Sequence, residues 1–97
     1  NAQVVEANIE RLVHEQPETR CVLLIMSAVN QLDSTALQML TELESSLAAR
    51  GVTLQFAEVK GPVLDKLQSS ALGQRMRDRI FLSTHQAFNA FAPPAHQ

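Results

Sequence analysis

Val22-Leu23-Leu24-Ile25-Met26-Ser27-Ala28-Val29-Asn30-Gln31-Leu32-Asp33-Ser34-Thr35-Ala36-Leu37 is the stretch whose reading decides the fold. An unbroken apolar run over residues 21–26, with polar flanks, predicts a strand buried on both faces. A polar bend follows and ends at Asp33-Ser34-Thr35. Three consecutive side-chain oxygens before a periodic apolar segment predict the N-terminal cap of a helix. The stretch therefore reads strand, loop, helix N-terminus. Backbone N–H groups without helical partners collect there, together with the positive end of the helix dipole, so the place suits an anion. Ser34 adds a hydroxyl open to phosphorylation.

Upstream, Val5, Ile9, Leu12 and Val13 recur on one helical face over residues 4–15. Glu6, Glu10, Arg11 and Glu15 lie outside it, and Asn1 is a candidate N-cap. Gln16-Pro17-Glu18-Thr19 stops this helix, because the residue before a proline avoids helical geometry. Downstream, the helix predicted over residues 35–49 turns Leu37, Leu40, Leu43 and Leu47 inward and Gln38, Glu42 and Glu44 outward. Arg50 suits the negative end of its dipole, and Gly51 supplies a left-handed terminating residue. Residues 52–57 alternate apolar and polar, as a second strand does.

Gly61-Pro62 opens the next helix, which carries Val63, Leu64, Leu67 and Ala71 to a stop at Gly73. Residues 75–79 form a charged link, and Ile80-Phe81-Leu82 is short and apolar enough for an edge strand. Ser83-Thr84-His85-Gln86 has the spacing of a capping box. The last helix turns Ala87, Phe88 and Phe91 inward. Pro93-Pro94 ends it and leaves 93–97 as a loose tail.

Strands separated by helices pair in parallel through right-handed crossovers, so the fold class is α/β, with a mixed or parallel sheet flanked by helices. Two or three strands make a thin sheet with an exposed edge, which a further strand before Asn1 or a second chain would cover. Ninety-seven residues make one domain, here 1–92 without the tail, and it buries about 60–65% of its unfolded surface. A net charge of −2 supplies no broad attraction to nucleic acid or anionic lipid. No segment reaches the length of a membrane span, and no signal peptide opens the chain.

Catalytic signals are weak. His14, His85 and His96 lack metal-ligand spacing, and the single Cys21 reads as a small apolar strand residue, so no metal is expected. The three glycines are scattered and build no phosphate loop. Ser34, His85 and Asp33 offer the types of a nucleophilic triad, with no spacing in support. Two candidate sites remain. Asp33, Ser34 and Thr35 form a regulatory loop, as phosphoacceptor or anion contact, beside their plain role as a helix cap. Arg75, Arg77 and Arg79 form a candidate partner-binding or phospholipid-contacting run, against the commoner role of a solvated charged face, partly neutralised by Asp78.

Leu32-Asp33-Ser34-Thr35-Ala36-Leu37 after an apolar strand resembles the signature loop of the STAS domain. The resemblance continues through Arg50-Gly51-Val52, the strand to Phe56, Pro62-Val63-Leu64-Asp65-Lys66-Leu67, Ala71-Leu72-Gly73 and the segment from Ile80 to Ala87. It implies the STAS-like (anti-sigma factor antagonist-like) fold, here without the strand pair that normally precedes the first helix. Two branches follow. Anti-sigma factor antagonists usually read Asp-Ser-Ser-Gly at this loop and are phosphorylated on the serine that Ser34 matches; Ala36 departs from that pattern. Asn1-Ala2 and the ending from Ile80 resemble the cytoplasmic domains of SulP-type anion transporters, and this branch is favoured. It implies a non-catalytic regulatory domain on the cytoplasmic face of a membrane, attached to a transmembrane transport unit of the same polypeptide. Cytosolic protein partners or self-association accompany that role; nucleic acid, metal and cofactor do not. Some members bind nucleotides. The alternative is a soluble partner-switching protein phosphorylated on Ser34.

Overall fold

A computed structural model describes the backbone of residues 2–91 and the side chains of residues 7–90. The expectations for the Asn1 cap, for Val5 and Glu6 on the first helix, for Phe91, for Pro93-Pro94 and the tail, and for His96 lie outside these residues.

The deciding stretch folds as strand, loop and helix. β1 (Cys21–Ile25) leads through residues 26–33 into α2 (Ser34–Ala49), and β2 (Thr53–Ala57) returns beside β1. The two strands are parallel, in a register that sets Val22 opposite Leu54 and Leu24 opposite Phe56. α1 (Ala2–Glu15) precedes them and packs on α2, where the Ser46 hydroxyl donates to Glu10 Oε1 at 2.6 Å. α3 (Gly61–Gln68), α4 (Ala71–Arg75), a 3-10 turn (Arg77–Arg79) and α5 (Thr84–Phe91) complete the order. This is the α/β, helix-flanked parallel sheet expected from the sequence.

The deepest strand is β2, not β1. Leu54, Gln55, Phe56 and Ala57 are all buried, so both faces of β2 are covered. Cys21–Leu24 are only half-buried and Ile25 is 56% exposed, which corrects the reading of 21–26 as buried on both faces. The reason is position in the sheet. β2 has β1 on one side and, on the other, a bridge to Ile80, with Phe81 N–H donating to the Phe56 carbonyl at 2.8 Å. Among the described residues β1 has a strand on one side only. The expected strand at 80–82 is reduced to that single bridge, since the chain bends away at Leu82.

Helix ends follow the local sequence. Asp33 has extended geometry and caps α2, its Oδ1 accepting from Ala36 N–H at 2.8 Å. At the other end Gly51 has φ +76°; its N–H donates to Ala48 and that of Val52 to Leu47, the paired closure that a left-handed glycine permits. The stop expected at Gly73 falls earlier. α3 ends at Ser69, and Ser70 starts α4 by accepting from Gly73 N–H at 3.1 Å, which places Gly73 inside the new helix. A hydroxyl able to cap offers the backbone an alternative to continuing the helix, and Ser69-Ser70 takes it.

Some outward and inward assignments also change, and Leu12, set on the apolar face of α1, is 48% exposed. Glu44 is buried, not outward, because two guanidinium groups compensate its charge. Phe88 is 70% exposed, because α5 meets the sheet through Ala87, which is fully buried, one helical step away.

Candidate functional site

The loop from β1 to α2 places Ser34 and Thr35 in the first turn of α2, both exposed. Asp33 satisfies the third N–H of the helix, and its carbonyl accepts from Leu37 N–H at 2.9 Å. The Ser34 and Thr35 N–H groups precede the first intrahelical bond, so they face outward at the positive end of the dipole. A phosphate on Ser34 would meet that field and, against it, the neighbouring Asp33 carboxylate. Across the loop, Lys60 Nζ donates to Asn30 Oδ1, tying the segment after β1 to the start of α3. Leu32 and Ala36, which bracket the three polar residues, continue into a groove of about 300 Å³ that includes Leu24, Val29, Met39 and Leu40. The loop is thus a polar rim on an apolar floor.

The arginine run divides. Arg75 donates to Glu44 Oε1 from Nε at 3.1 Å and Nη2 at 2.8 Å. Arg79 lies 3.7 Å from Glu44 Oε2 and also donates to the Leu54 carbonyl at 3.4 Å. These two arginines tie α2, α4 and β2 together around one buried carboxylate. Arg77 is exposed and borders a separate groove of about 430 Å³. Glu44 and Asp33 are eleven residues apart on α2, about 16 Å along its axis, so loop and arginine cluster are separate places.

Sequence reasoning missed two polar residues. Glu44 gave no signal as a buried partner, since its arginines lie far downstream. Glu58, at φ +60°, accepts at Oε2 from Thr84 N–H at 2.9 Å and from the Thr84 hydroxyl at 3.0 Å. These two bonds hold its carboxyl below its ordinary pKa. The Cys21 thiol is pushed up by burial and eased down by Arg79, and it donates to Gln55 Oε1 at 3.4 Å. Among the described residues no hydrogen bond joins Ser34, His85 and Asp33; the His85 ring meets Asn89 instead, at 3.0 Å. No three His, Cys, Asp or Glu side chains gather there either. No described helix is long and apolar enough to cross a membrane.

Comparison with known proteins matches this geometry. The family model of the STAS domain matches residues 1–87. High affinity sulfate transporter 2 of Stylosanthes hamata is 29% identical over 91 residues, which cover 93% of this chain and 14% of that protein. The chain therefore spans about one-seventh of the length of this curated relative. Among solved structures, the sulfate transporter family protein of Wolinella succinogenes superposes with a TM-score of 0.77 at 22% identity, over 89% of this chain and 72% of that one. The murine Solute Carrier 26 family member A9 anion transporter, in its inward-facing state, gives 0.76 at 18% identity, over 93% and 15%. With the strand, capped loop and leucine helix all inside the matched region, the chain belongs to the STAS domain family.

Proposed function

We propose that this chain is the regulatory and interaction domain of a SulP-type anion (sulfate-like) transporter, on the cytoplasmic face of the membrane and joined to a transmembrane unit. The observation that carries the reading is the likeness to a sulfate transporter across 93% of the chain. The exposed loop supports a regulatory role. It offers an exposed hydroxyl and two outward N–H groups beside the capping Asp33. Charge placed on Ser34 at the first turn of α2 alters the field that a partner or anion meets there. The test is Ser34→Asp in the intact transporter, read as anion uptake and as affinity for any partner captured by the wild-type domain. A change in either supports the reading; no change in both removes the loop as its regulatory site.

The exposure of Ser34 also favours a second reading, a soluble partner-switching protein. It predicts that a serine kinase adds one phosphate to Ser34, seen as a mass shift that Ser34→Ala abolishes. It further predicts that the coding region upstream holds no apolar spans of about 20 residues.

A further inference from the structure

Of the three neighbouring arginines, the structure commits two internally and leaves one at a groove. Arg75 and Arg79 face Glu44. Arg77 has no carboxylate within ion-pair distance among the described residues. It borders a groove of about 430 Å³ between α3, α4 and the segment after the 3-10 turn. The groove wall is mostly apolar: Leu64, Ile80 and Phe81 are half-buried and Leu82 is 68% exposed, with the uncharged Gln68 and Gln74 beside them. Leu82 thus stands exposed at the rim of the groove, on the same lining as Arg77.

We infer that this groove docks a protein segment carrying one apolar anchor side chain next to an Asp or Glu. The anchor fills the space between Leu64 and Phe81 and covers Leu82, and the carboxylate pairs with Arg77. Charge complementarity sets the sign: Arg77 is the ionic group bordering the groove, so an acidic segment gains an ion pair and a basic one meets repulsion. The open shape sets the class. A small ligand needs a pocket that encloses most of its surface, whereas Leu82 and Arg77 stand outward and are covered only by something broad. The inference rests on the reading of the domain as an interaction module, and it names the surface and the chemistry of the partner.

The test is selection of random twelve-residue peptides displayed on phage against the 97-residue chain, followed by fluorescence anisotropy of the enriched sequences. The expected enrichment is an apolar residue within two positions of Asp or Glu. Arg77→Glu and Leu82→Asp should each weaken binding about thirtyfold, the size of an interface hot spot. Arg50→Glu, an exposed charge reversal elsewhere, should change it less than about twofold. Both groove positions are exposed, so thermal melts of the variants should match wild type. Absence of any enriched sequence, enrichment without acidic residues, or binding that survives Arg77→Glu would each overturn the inference. Failure here, with Ser34→Asp still altering transport, removes the groove and leaves the proposed function standing.

Discussion

Gly73 and Glu44 show how single residues fix one helix against another. A Cβ built on Gly73 would sit 1.8 Å from the Leu67 carbonyl oxygen, which is backbone and has little room to yield. Gly73→Ala should therefore cost about 3 kcal/mol, at the upper end of overpacking changes, although alanine is the better helix former. The check is a lower urea midpoint at unchanged slope. An equal or higher midpoint would show that α3 and α4 separate freely. Glu44→Ala should cost about 1–2 kcal/mol, because it leaves Arg75 and Arg79 around an empty, buried place. Arg75 is itself 46% exposed and regains water, which holds the loss below that of a fully buried pair. A double-mutant cycle with Arg75→Ala isolates the pair. Asp33 was legible as a cap, because a cap is a signal of four adjacent residues. Glu44 was not, because its burial depends on arginines that only the fold brings near.

At the scale of elements, the joint between β2 and α5 depends on one carboxylate. Glu58 adopts a left-handed backbone that costs a residue with a Cβ on the order of 1 kcal/mol. In that geometry its side chain reaches the first turn of α5, where Ser83 Oγ also accepts from Gln86 N–H at 3.1 Å. The serine arm of the expected capping box is thus present, joined by a second acceptor that no local pattern announced. Because Glu58 is held below its ordinary pKa in the folded state, its contribution is present above the unfolded value, near 4.5. It is lost as pH falls through the depressed folded value. Amide exchange in α5 should accordingly be slow at pH 7 in wild type and faster in Glu58→Gln, with the difference vanishing at acid pH. Equal exchange in both proteins at pH 7 would show that Ser83 alone fixes the helix. The inward reading of Phe88 failed for a related reason. A helix of two turns tolerates several rotations about its axis, and contact with the sheet through Ala87 selected one.

For the whole molecule, the decisive feature is the asymmetry between the two strands. Parallel order, α/β class and a thin sheet were all legible, because the strand and helix periods are long and the connection between them is helical. Which strand lies deeper was not, since a continuous apolar run reads alike at the centre and at the edge of a sheet. The hydrogen bonds make the asymmetry measurable. Thr53 N–H donates to the Arg20 carbonyl and Met26 N–H to that of Ala57, so the period of two turns the Val22 and Leu24 amides toward β2. Those of Leu23 and Ile25 then point to the side where no described strand lies. Hydrogen exchange of the 97-residue chain should therefore find Leu23 and Ile25 at least about tenfold faster than Leu24, a gap of about 1.4 kcal/mol in opening free energy. Equal protection along β1 would mean that another strand, from this chain or a second copy, already pairs with that edge. The comparison should then be repeated across protein concentrations: protection that rises with concentration identifies a second copy, and constant protection identifies the chain itself.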